Sequence, residues 1–80
     1  MRVRRKDLPP ALFHHLLERI QQRQIDARQL ELLARWLDTE PEAPVGPWYK
    51  RFSGMTVCGE GDLVKTFLTP PQSPKGTAVR

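Results

Sequence analysis

The chain has 80 residues, 39% of them hydrophobic and 28% charged, with a formal net charge of +4 and one cysteine. That length allows one domain at most, and the balance of apolar to charged residues belongs to a folding chain, not a disordered one. No apolar run reaches the roughly 18 residues needed to cross a bilayer, and a lone cysteine excludes an internal disulfide, so a reducing, cytoplasmic setting is expected.

The charge is unevenly placed. Arg2, Arg4, Arg5 and Lys6 account for the whole excess. Residues 7–47 carry four bases against seven acids, and residues 48–80 carry five against two. Residues 1–6 are expected as a flexible basic arm. Residues 7–80 then form a single small domain: a helical hairpin over 7–39, a proline strap over 40–47, and a β-hairpin with a C-terminal loop over 48–80.

The first helix is expected to begin near Pro9, because proline suits the first helical position, where its missing N–H costs nothing. Phe13, Leu16, Leu17 and Ile20 follow at i, i+3, i+4 and i+7, one apolar stripe of a helix. The second helix has the clearest start. Asp26 can cap it, Gln29 stands three residues on as in a capping box, and Ile25 and Leu30 have the spacing of a hydrophobic staple. Its stripe is Leu30, Leu33, Ala34 and Leu37. Glu31 and Arg35 form an i, i+4 pair in the favourable order. The short connection between the helices predicts an antiparallel αα-hairpin.

Leu32 and Trp36 lie on the other side of the second helix. A helix that is apolar on two sides sits between two layers, so the C-terminal half is expected to cover them. Left uncovered, they would form a docking patch. Pro41, Pro44 and Pro47 keep the strap extended. Met55-Thr56-Val57-Cys58 and Leu63 to Leu68 are rich in β-formers, with Gly59-Glu60-Gly61-Asp62 as the turn between them. Lys65 guards that hairpin's edge. Thr77-Ala78-Val79 offers a brief further strand. The expected core is Phe13, Leu16, Leu17, Ile20, Leu30, Leu33, Ala34, Leu37, Val57 and Phe67.

No catalytic set emerges. His14 and His15 are adjacent and point about 100° apart on a helix, so they cannot form a metal pair on one face. Cys58 lies in an apolar run with no base near it in sequence, the setting of a small core residue rather than a nucleophile. The Gly59–Asp62 loop lacks the lysine and helix of a phosphate-binding loop. The helical hairpin lacks the supporting helix of a DNA-reading motif. Neither a cofactor nor a metal is expected.

The richest segment is Trp48-Tyr49-Lys50-Arg51-Phe52. Interleaved aromatics and cations suit protein interfaces and single-stranded nucleic acid, and large aromatics also fill small cores. The expected fold is therefore α+β, an N-terminal antiparallel helical hairpin packed on a small C-terminal antiparallel β-hairpin. The leading functional expectation is a non-enzymatic protein-binding module of regulatory or adaptor type. It would meet a protein partner, or a second copy in a homodimer, through Leu32, Trp36, Trp48, Tyr49 and Phe52. The alternative is a nucleic-acid-binding accessory protein using Arg2, Arg4, Arg5, Lys6, Lys50, Arg51 and Lys65. No membrane partner is expected.

Overall fold

A computed structural model describes residues Met1–Arg80. Helix α1 spans Pro10–Gln21, with extended Pro9 before it and Pro10 at the first helical position. It ends on Arg23, whose φ is 61°. The Arg23 N–H donates to the Ile20 carbonyl at 3.0 Å and the Gln24 N–H to the Arg19 carbonyl at 2.9 Å. These two bonds satisfy carbonyls that the helix end would otherwise leave without donors. Helix α2 spans Ala27–Asp38. The Asp26 side chain caps it, accepting from the Arg28 N–H at 2.8 Å.

Gln29 does not complete the capping box. Its side chain is buried and turns to the sheet instead. Its Nε2 donates to Ser53 Oγ at 2.9 Å, and its Oε1 accepts from the Gly54 N–H at 3.0 Å. A buried amide needs partners for both ends, and the turn after the first strand supplies them.

The sheet is larger than a hairpin. Strands β1 (Pro47–Arg51), β2 (Thr56–Glu60), β3 (Leu63–Leu68) and β4 (Thr77–Ala78) lie in the order β3-β2-β1-β4. The β1–β2 and β2–β3 pairs are antiparallel, while β4 runs parallel to β1, so the sheet is mixed. The expected simple β-hairpin is thus corrected: β2 and β3 form it, and the aromatic-basic segment is a third full strand beside them. Trp48 pairs with Gly59 and Tyr49 with Cys58. A register shift at Cys58/Gly59 places Lys65 outside the one-to-one pairing of β2 and β3.

Both helices lie over one face of the sheet. Leu12, Leu16 and Leu33 meet Met55, Val57, Val64 and Phe67 across a seam whose residual gap is only about 10 Å³. That is no more than the space of one water, and the lining is almost wholly apolar, so no polar groups are there to hold one. Trp48 is fully buried in the same core. Its Nε1 donates to the Gly61 carbonyl at 2.8 Å. Leu16, Leu33, Leu37 and Val57 are buried as expected, and Val3, Ile25, Trp36, Ala43, Trp48, Met55 and Val64 complete the core. Phe13 is not in it: 36% of its surface is exposed. Leu17, Ile20, Leu30, Ala34 and Phe67 are only partly buried. The helices splay instead of closing on each other, with few close backbone approaches between them, so the outer part of each stripe has no neighbour to bury it.

Residues 1–6 are a clasp rather than a free arm. Val3 is fully buried. Its N–H donates to the Pro41 carbonyl at 3.0 Å, and the Ala43 N–H donates to the Met1 carbonyl at 2.7 Å. Arg2 bridges to Glu42, Arg4 pairs with Glu40, and Arg5 grips Asp38 with two bonds of 2.6 and 2.7 Å. Opposite charges on the strap fold the basic run down, and the burial of Val3 anchors it.

Candidate functional site

The proposed aromatic set separates into core and surface. Trp36 retains only 9% of its exposure and Trp48 none. Their rings lie 5.8 Å apart, and Phe52 meets Trp36 edge-on at 6.1 Å. Trp36 Nε1 donates to the Arg80 carbonyl at 3.1 Å. The C-terminal half therefore covers the second side of α2, leaving Leu32 and Phe52 partly buried. Trp36 and Trp48 hold the two layers together and present no docking surface. This corrects their assignment as partner contacts.

Tyr49 is different. Alternation along β1 sends Trp48 and Phe52 toward the helices and Tyr49 and Arg51 to the opposite face. The Arg51 guanidinium lies over the Tyr49 ring at 5.4 Å. On this face Tyr49 and Cys58 are partly exposed and Arg51 is exposed. Cys58 and Thr66 continue the row from Tyr49 across the sheet. Lys65 reaches Glu60 at 3.5 Å. Lys50 belongs to the helix side, where its Nζ sits 5.6 Å from the Phe52 ring centre. The nucleic-acid set is thus dispersed: Arg2, Arg4 and Arg5 answer strap and α2 acids, Lys6 stands beside them, Lys50 is on the inner face, and only Arg51 and Lys65 share the outer one.

The histidines and the cysteine do not converge. His15 packs on Phe67, with ring centres 5.3 Å apart on the helix side of the sheet. Cys58 leaves the other face. Partial burial pushes the Cys58 thiol above its ordinary pKa, which disfavours the thiolate. No three His, Cys, Asp or Glu residues gather as a metal site would require.

What sequence reasoning missed is a groove. Between α1 and α2, on the side away from the strands, lies an open apolar cleft of about 360 Å³. Leu8, Pro10, Phe13, Leu30, Leu33, Ala34 and Leu37 line it, with Arg5 at its end. Leu33 and Leu37 are its buried floor, and Phe13 stands exposed on its bank. One sequence signal marks it. Residues 8–17 contain no Asp, Glu, Lys or Arg in a chain that is 28% charged. Leu8, Pro10 and Phe13 of this run line the groove on the α1 side. The charges nearest the other bank occur as pairs: Arg5 with Asp38, and Glu31 with Arg35 at 2.8 Å. Asp38 holds the Arg5 guanidinium above its ordinary pKa through their hydrogen bonds and mutual attraction.

No protein-family model, curated protein or solved structure matches this chain. No helix is long and apolar enough to cross a membrane.

Proposed function

We propose that this chain is a small non-enzymatic protein-binding module that docks an apolar helical surface in the groove between α1 and α2. The observation that carries this reading is the groove itself, about 360 Å³ of apolar space that no segment of the chain fills. A cavity of about 150 Å³ holds a benzene ring, so there is room for more than one large side chain. Side chains at i and i+3 or i+4 of an inserted helix would supply them, which is the helix-in-groove mode of recognition. The uncharged α1 bank supports the reading, because the buried centres of protein interfaces are depleted in charge.

The test is a titration with a synthetic amphipathic leucine–lysine helical peptide, followed by amide chemical shifts. Shifts confined to Leu8, Phe13, Leu30, Ala34 and Leu37, and lost on Phe13→Glu, are expected. Binding elsewhere, or none, overturns the reading.

A second reading has one observation in its favour, the Arg51 guanidinium lying over the Tyr49 ring on the sheet face opposite the helices. Rings with cations above them suit unpaired bases and phosphates. Anisotropy of a labelled single-stranded oligonucleotide at low salt tests it. Binding that weakens with added salt and with Arg51→Ala supports it, and no binding at low salt removes it.

A further inference from the structure

We infer that a polar cavity between α1 and the turn after β3 is a second site, one that takes a phosphate group, free or carried on a small monoester. The inference goes beyond the docking reading above and does not depend on it.

The first argument is the lining. His15 and Arg19 stand one helical turn apart on a single face of α1. With the end of β3 and the turn over residues 69–72 they line a cavity of about 220 Å³. A cavity of about 150 Å³ holds a benzene ring, and a phosphate group has fewer heavy atoms. Every polar side chain in the lining can donate a hydrogen bond: the Arg19 guanidinium, the His15 imidazole, the Thr66 and Thr69 hydroxyls and the Gln72 amide. No Asp or Glu is among the lining residues. Phe67, against which His15 packs, adds an apolar wall, beside which a charged hydrogen bond is stronger than in open water.

The second argument is what the chain leaves unanswered there. Every other arginine is exposed, whereas Arg19 is half-buried. Arg2, Arg4, Arg5 and Arg35 each meet a carboxylate. Arg19 meets none and donates from Nη1 to the neutral Gln24 Oε1. The end of α1 does not supply the missing partner, because the Glu18, Arg19 and Ile20 carbonyls already accept from the Gln22, Gln24 and Arg23 N–H groups. Withdrawing a cation from water without a counter-charge is costly, and a bound anion removes that cost.

Gln72 is held in the same way. Its Oε1 accepts from the Thr69 N–H at 3.0 Å, and its own N–H donates to the Thr69 carbonyl at 3.0 Å. The acceptor end of the amide is thus used within the turn, and the donor end, Nε2, has no partner in the chain. An arginine fork matches two phosphate oxygens at once. Donors on the other walls suit the further oxygens of a tetrahedral anion, which a carboxylate lacks.

The test is a titration of the full chain with inorganic phosphate and, separately, with glycerol 3-phosphate, at ionic strength held constant with chloride, read by amide chemical shifts. Saturable shifts centred on His15, Arg19, Thr69 and Gln72 are expected. Tighter binding of the ester assigns the site to a monoester, and equal or weaker binding assigns it to free phosphate. Arg19→Gln should weaken binding about tenfold, the loss of one charge-assisted bond. Gln72→Glu should abolish it with the thermal melt unchanged, since a carboxylate oxygen still accepts from the Thr69 N–H while placing a negative charge in the cavity. This variant decides the question if Arg19→Gln misfolds. Arg80→Gln removes an exposed cation outside the cavity and should change nothing. Shifts that never saturate, binding that survives Gln72→Glu, or equal weakening by Arg80→Gln overturns the inference.

Discussion

Gly59 is set by its cross-strand neighbour. A Cβ there would lie 2.3 Å from Cζ2 of Trp48, inside any tolerable contact, so only a residue without a side chain lets the indole lie flat on β2. Gly59→Ala should cost about 1–3 kcal/mol, the range for overpacking a filled core. The readout is a lower urea midpoint at unchanged slope. Cys58, one residue earlier, projects from the opposite face. With burial raising its pKa, it should react with iodoacetamide at neutral pH more slowly than free cysteine does. Faster alkylation would contradict the placement. Trp48 shows the limit of reading residues in isolation. Its position among cations suggested a contact residue, yet the cations beside it belong to different faces, and only the strand assignment separates them.

At the scale of elements, both helices end on a non-glycine residue in the left-handed region, Arg23 at φ 61° and Glu40 at φ 47°. Left-handed backbone costs an L-residue roughly 1–2 kcal/mol, partly offset by the greater freedom glycine loses on folding. Arg23→Gly should therefore stabilise the protein by about 0.5–1 kcal/mol and raise its melting temperature.

The N-terminal clasp should respond to acid. The Met1 amine donates to Glu42 at 3.0 Å. That bond, the attraction of the amine, and Arg2 hold the Glu42 carboxyl below its ordinary value of 4.5. A depressed carboxyl stabilises the folded form above its unfolded pKa and stops doing so as pH falls through the folded one. Protection of the Val3 and Ala43 amides against exchange should thus be complete at neutral pH and decline below about pH 4.5, the ordinary Glu42 value. Unchanged protection at pH 3 would show that Val3 burial alone holds the clasp.

The helices and the β2–β3 hairpin were legible because their signals are local: proline and Asp26 at helix starts, stripes at helical spacing, two glycines in a turn. The clasp was not, because its pairs join residues nearly forty positions apart, and a basic run reads the same whether solvated or neutralised. Strand β1 was obscured by Lys50, which sits on the inner face and breaks the alternation while resting on the Phe52 ring. The groove was hidden by success of another kind: its lining residues form a good helical stripe, and nothing in a stripe says how much of it a neighbour will cover.

For the whole molecule, the joint between layers is the seam of Leu12, Leu16 and Leu33 against Met55, Val57, Val64 and Phe67, extended by the Trp36–Trp48 contact and the Gln29 bridge to Ser53 and Gly54. Neither layer has another apolar partner of comparable extent within the chain. A sheet with one apolar face has to bury it against another layer. Helix ellipticity and tryptophan emission should therefore be lost in one coincident transition on heating, as in two-state unfolding. Two separated transitions would show that the helices and the sheet fold independently.

Because both helices lie on the same side, the protein has two unlike exteriors back to back. One is a greasy furrow closed at one end by Arg5, and the other is a pleated plate bearing Tyr49 under Arg51. The furrow is lined by the helices and the segment before them and the plate by strand residues, so a guest lodged in one and another resting on the other would share no contact residue. Geometry of that kind makes a bridge: blocking one exterior by mutation should leave traffic at the other untouched.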